Sequence, residues 1–210
     1  MATEPQIETS TPRQFAARAI FVLNCHGLLA LIPVVVLVPF AVLVSLKTGS
    51  FPAFLSIVLL TAFLPVFFFP LILGNSYVTK LVESIAPSKN NKGFVVQMTL
   101  SPRKYSGVRA LVEDADDIGR LSVTNDQVLY DGDAVKLRLP VSSIKSVESR
   151  NIGWRGMWVC SPRIRVTVAG LPGVTQVEFC DRSSLTIPDS RRKSLALKAE
   201  LLAGINKPFA

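Results

Sequence analysis

The chain carries one histidine, His26, three cysteines and 15 acidic residues, and their spacing narrows the chemistry open to it. A Ser-His-Asp or Cys-His arrangement needs an imidazole beside the nucleophile. His26 instead lies two residues from Asn24 in a long apolar run, remote from the charged C-terminal part. No P-loop, GxGxxG or HExxH pattern occurs, so the sequence reads as a protein that is not an enzyme. Polar groups inside an apolar run are costly. Asn24 and His26 therefore read as partners in an interhelical hydrogen bond, with ligation of a haem or pigment as the other use of the imidazole. No motif accompanies the histidine, and no cofactor is expected. Cys25, Cys160 and Cys180 lack CxxC spacing, which leaves no zinc or redox signature. Glu113-Asp114-Ala115-Asp116-Asp117 puts four carboxylates together, but without the D-x-D-x-D-G spacing of an EF-hand. It reads as a solvated loop pairing with Arg109 and Arg120, and no metal is expected.

Two further clusters suit binding. Trp154, Arg155 and Trp158 sit among Gly153, Gly156 and Met157; tryptophan and arginine together suit a membrane interface or a protein partner, and core filling is the competing use of the Trp rings. Arg191-Arg192-Lys193 follows Asp189 and Ser190 at the start of a helical pattern. An anion could offset cations placed at the positive end of a helix; the plainer reading has Asp189 capping the helix and the arginines in water.

The elements that must position these groups differ sharply along the chain. Ala19–Leu46 and Phe51–Val78 contain no Lys, Arg, Asp or Glu and are separated only by Lys47-Thr48-Gly49-Ser50. Each exceeds the ~20 residues that cross a bilayer as a helix, so the pattern predicts a transmembrane helical hairpin. A buried hairpin in a large core is the other structure such runs can build. Pro33, Pro39, Pro65 and Pro70 predict bends in it. Basic residues flank the pair at Arg13, Arg18, Lys80, Lys89 and Lys92, whereas the connector offers only Lys47. Both termini are therefore expected in the cytoplasm, with the chain integral to a bacterial inner membrane, and Cys160 and Cys180 are expected as free thiols.

Residues 1–18 read as a polar tail, 19–79 as the hairpin, 80–93 as a linker and 94–207 as one domain. Within that domain the hydrophobic pattern has period 2, the mark of strands with one face on a core. Phe94–Leu100 forms one such run. Leu121 and Val123, then Val135, Leu137 and Leu139, then Ile164, Val166 and Val168, then Val177 and Phe179 alternate with polar residues. Asp131-Gly132 reads as a turn, and Val141–Glu148 as a less regular strand. The last segment, 191–205, has Leu195, Ala199, Leu202 and Ile205 at helical spacing.

The run Gly119-Arg120-Leu121-Ser122-Val123-Thr124, followed by Pro140-Val141-Ser142-Ser143-Ile144-Lys145-Ser146-Val147, resembles the opening strands of PH-like domains of the GRAM and bacterial PH type. The resemblance implies an α+β membrane protein, its hairpin followed by a PH-like antiparallel barrel or sheet capped by a C-terminal helix. It also implies that basic residues near the first strand-to-strand loop, here Arg103, Lys104 and Arg109, meet phosphorylated headgroups. With Trp154, Arg155, Trp158, Arg191 and Arg192 these make the expected lipid- or partner-binding set. The expected function is a membrane-anchored binding module without catalysis, presenting a basic, aromatic surface to anionic lipid or to a protein partner, homo-oligomers included. The alternative is a small structural subunit of a larger integral membrane complex whose hairpin packs against other spans. Basic residues scattered among strands, with no aromatic RNP pattern, argue against nucleic acid.

Overall fold

The structure is a computed structural model. It describes residues 4–9, 31–85, 93–102, 115–150 and 162–205, with the side chains of 31–34, 53, 60–74 and 187 set aside. Eight strands appear in chain order: β1 (Gln6–Thr9), β2 (Phe94–Ser101), β3 (Asp117–Val123), β4 (Gln127–Gly132), β5 (Val135–Pro140), β6 (Ile144–Arg150), β7 (Arg163–Val168) and β8 (Gln176–Asp181). They form a single sheet in the order β1-β5-β4-β3-β2-β8-β7-β6, and every pairing is antiparallel. Among the described residues three helices accompany it: α1 (Leu31–Thr48), α2 (Phe51–Ile85) and α3 (Ile187–Ile205).

Register explains the core. Residues alternate between the two faces of a strand, and Met98 faces Phe179 while Phe179 faces Ile164. Leu121, Tyr130 and Leu137 lie opposite one another on β3, β4 and β5. All six are buried in one cluster with Val166, Val177 and Leu139. Tyr130 and Phe179 stand on strands three places apart, which in a flat sheet would be ~14 Å. Their ring centroids are 6.1 Å apart, so the sheet curls over its own core. A 3-10 turn, Val141–Ser143, carries β5 into β6, and the Ala169 amide donates to the Ser143 carbonyl at 2.9 Å.

α3 packs against β6, β7, β8 and β3. The Thr186 hydroxyl accepts the Asp189 amide at 3.3 Å, so Thr186 is the cap and the helix starts a turn earlier than the sequence suggests. Its core-facing residues are Ser190, Ser194, Leu197 and Leu201, whereas Leu195 is exposed. Asp131-Gly132, read as a turn, is the end of β4; the turn itself is Asp133-Ala134.

The transmembrane hairpin is corrected. Among the described residues no helix is long and apolar enough to cross a membrane. The α+β membrane fold, the two spans and the location integral to a bacterial inner membrane therefore lose their basis. Part of the reason is where the elements end. α1 is described over Leu31–Thr48. The last turns of α2 belong to the sheet: Val78, Leu81 and Val82 join the strand core, and buried Asn75 donates its side-chain amide to the Ser184 carbonyl at 2.6 Å. The helix continues to Ile85, through residues that read as the start of a linker. What the structure holds is an α+β fold with an eight-stranded antiparallel sheet. α1 and α2 do pack side by side, joined at Gly49 with φ +65°, a left-handed helix-end conformation that glycine adopts freely.

Candidate binding surfaces

The most developed polar site lies on the sheet face opposite the core, across β2, β8, β7 and β6. Register sets it up: Glu178 lies beside Thr99 on one side and Arg165 on the other, and Arg163 lies opposite Arg150. One oxygen of Glu178 accepts Arg165 Nε at 3.0 Å and Nη2 at 2.9 Å, and Arg150 Nη1 at 3.0 Å. The other oxygen faces Arg163 Nη1 at 3.4 Å, and that nitrogen also donates to Thr99 Oγ1 at 3.2 Å. Glu178 and Arg163 are almost wholly buried, whereas Arg165 is 22% and Arg150 48% exposed. Burial alone would raise the Glu178 pKa. The Arg165 and Arg150 hydrogen bonds and the Arg163 charge outweigh it and hold the carboxyl below its ordinary value. Three guanidinium groups thus share one carboxylate, and the two outer ones reach water.

A second buried carboxyl has the opposite surroundings. Asp117 opens β3 and accepts the Val135 amide at 2.9 Å and the Ala134 amide at 3.2 Å, tying the β4–β5 turn to β3. It lies over Gly132, where a Cβ would run into the Asp117 carboxylate and the Tyr130 ring. Burial pushes Asp117 up from 3.8 to about 6, with Asp133 adding to the rise and the Ile118, Val135 and Ala134 amides opposing it. Burial, then Asp117, push the Tyr130 phenol well above its usual value.

No known family, curated protein or solved structure matches this chain. The surfaces must therefore be read from their own geometry.

Of the residues singled out from sequence, Asn24, His26, Arg103, Lys104, Arg109, Trp154, Arg155 and Trp158 lie outside the described residues. Arg191 and Arg192 are exposed on the second turn of α3. Arg192 is held by Asp189 at 2.6 Å and Lys193 lies 3.4 Å from the same carboxylate, so one carboxylate offsets part of that cluster's charge. Within the acidic run, Asp116 accepts the Leu100 amide at 2.7 Å and Asp117 is buried; both serve the fold. Among the described residues no group of three His, Cys, Asp or Glu is placed to hold a metal ion, and Cys180 is a buried free thiol.

The Arg150–Arg163–Arg165–Glu178 site escaped the sequence reading. Its one signal was three arginines and a glutamate at the polar positions of neighbouring strands, a pattern that ordinarily marks a wet face. A last surface is apolar. Val35, Phe40, Leu43 and Leu46 of α1, with Phe51 and Leu59 of α2, are between 56% and 77% exposed.

Proposed function

We propose that this chain is a binding module without catalysis, a PH-like antiparallel domain whose arginine-bearing sheet face takes an acidic segment of a protein partner. The PH-like part is supported by the curled run β5-β4-β3-β2-β8-β7-β6 and by the closing helix α3 packed against β6, β7 and β8. The binding part rests on one observation: Arg150 and Arg165 are anchored through one edge on buried Glu178 while both remain in contact with water. A guanidinium has five donors in a fixed fork. Glu178 uses part of each fork and fixes its orientation, which lowers the entropy lost when an outside carboxylate takes the rest. The held-down pKa of Glu178 keeps it ionised at neutral pH, in keeping with recognition rather than acid-base chemistry.

Titrating the full chain with a glutamate-rich peptide tests this. Binding should weaken as salt rises and fall at least tenfold in the Arg150→Glu/Arg165→Glu variant. Equal affinity in that variant, or no binding at all, overturns the reading.

The apolar surface of α1 and α2 favours a second reading, a structural subunit that assembles through its helices with another copy of itself. The exposed side chains lie on both helices, and an apolar patch of this kind marks an interaction surface. Apart from Lys47 in the last turn of α1, the face is apolar and so suits a self-complementary contact. Light scattering should give twice the chain mass, and Leu43→Glu with Leu46→Glu should restore the monomer. A monomer that instead associates with lipid vesicles overturns this reading.

A further inference from the structure

The fold leaves one sheet edge occupied by a segment with little hold on it. Among the described residues β1 pairs only with β5, in the register Gln6–Arg138, Ile7–Leu137, Glu8–Lys136 and Thr9–Val135. Its burial is slight: Ile7 alone packs on the core, beside fully buried Leu137, while Gln6, Glu8 and Thr9 are exposed. Without β1 the outer amides and carbonyls of β5 would form an open edge, which is a template for any extended segment.

The same register defines what that edge selects. Residues opposite one another in an antiparallel pair share a face. Leu137 and the core accept an apolar side chain, and the next position of the incoming strand meets Lys136, with Arg138 one place beyond Leu137 on the same exposed face. At the far end, Gly170, with φ +83°, leaves room for Pro5, whose Cγ would lie 3.0 Å from a Cβ there. The edge thus matches an extended segment in which an apolar residue is followed directly by a carboxylate, with proline two places before the apolar residue.

We propose that the β5 edge is a peptide-accepting groove for a partner segment of this kind, and that Gln6–Thr9 is its resting occupant in the same chain. Main-chain hydrogen bonds would supply affinity, and the core pocket and Lys136 selectivity. The in-chain segment has the advantage of tethering, which raises its effective concentration without adding contacts. A partner segment that buries more than one apolar side chain can therefore displace it. This site lies at the other end of the strand order from Arg150 and Arg165, and stands or falls apart from them.

The test uses the full chain and a labelled peptide spanning residues 4–10, followed by fluorescence anisotropy. Ile7→Asp should release β1 and tighten peptide binding at least tenfold over the unaltered chain. Adding Lys136→Glu should reverse that gain, and a peptide with Ile7 and Glu8 exchanged should not bind. Amide hydrogen exchange guards against misfolding: Ile7→Asp should speed exchange along β5 alone, and the peptide should restore protection. Failure of the peptide to bind either form, or binding indifferent to Lys136→Glu, overturns the proposal. So does a released chain that dimerises by trading β1 between copies while ignoring the peptide.

Discussion

Glu178 and Asp117 are both buried, yet they hold their protons on opposite terms. Glu178 is ringed by three arginines and stays ionised below its ordinary range. Asp117 is met by backbone amides and by the neighbouring carboxylate Asp133, and its pKa rises to about 6. Burial pushes both in the same direction; the partners decide the outcome. The backbone amides at Asp117 do not outweigh its desolvation, whereas the arginines at Glu178 do.

The contrast can be broken most severely at Glu178. Glu178→Ala leaves Arg163 buried beside two more guanidinium groups with no anion, and should cost about 3–5 kcal/mol in urea unfolding. A loss below about 1 kcal/mol would show that the arginines relax into water and that the ring is not a fixed device.

Asp117 should produce the next largest effect, and it is one of pH. Its folded pKa lies above the unfolded value, so the stability it contributes is fully present below pH 3.8 and is lost as pH rises through about 6. A shift of this size corresponds to about 3 kcal/mol. Asp117→Asn keeps an oxygen for the Val135 amide and removes the titration. Its unfolding free energy should therefore fall less between pH 4 and pH 7 than that of the unaltered chain. Parallel profiles would remove Asp117 as the source. Glu178 acts in the opposite sense, its contribution being present above 4.5 and lost as pH falls through its lowered folded value.

The smallest effect is expected at Arg150, half exposed at the rim of the ring. Arg150→Ala should cost less than about 1 kcal/mol while still weakening capture of the glutamate-rich peptide. Stability and binding then separate at a single residue, which a purely structural ring would not allow.

Much of the sheet was legible. Val135, Leu137 and Leu139 point to the core with Lys136 and Arg138 outside, as their alternation demands. Ile164, Val166 and Val168 do the same. The helix near the C-terminus was legible too, but not its facing: Leu195, an apparent core residue, is exposed, while Ser190 and Ser194 are buried. Small hydroxyl residues let a helix approach a sheet closely, and hydropathy gives them no weight in a periodic pattern. The apolar runs misled for a related reason. Freedom from charge over Phe51–Val78 says that water is disfavoured there, but not what replaces it. For Val78, and for Asn75 through its bond to Ser184, the replacement is the strand layer.

Local sequence by itself determined strand parity, the closing helix and the absence of charge along most of α1 and α2, since each is set by spacing along the chain. The tertiary structure decided that Arg163 and Glu178 leave water, that Asp117 is enclosed over Gly132 and that Gln6–Thr9 closes the β5 edge. Parity assigns a side chain to a face. Whether that face meets solvent, an ion partner or another strand depends on contacts between residues far apart in the chain, which no local pattern records.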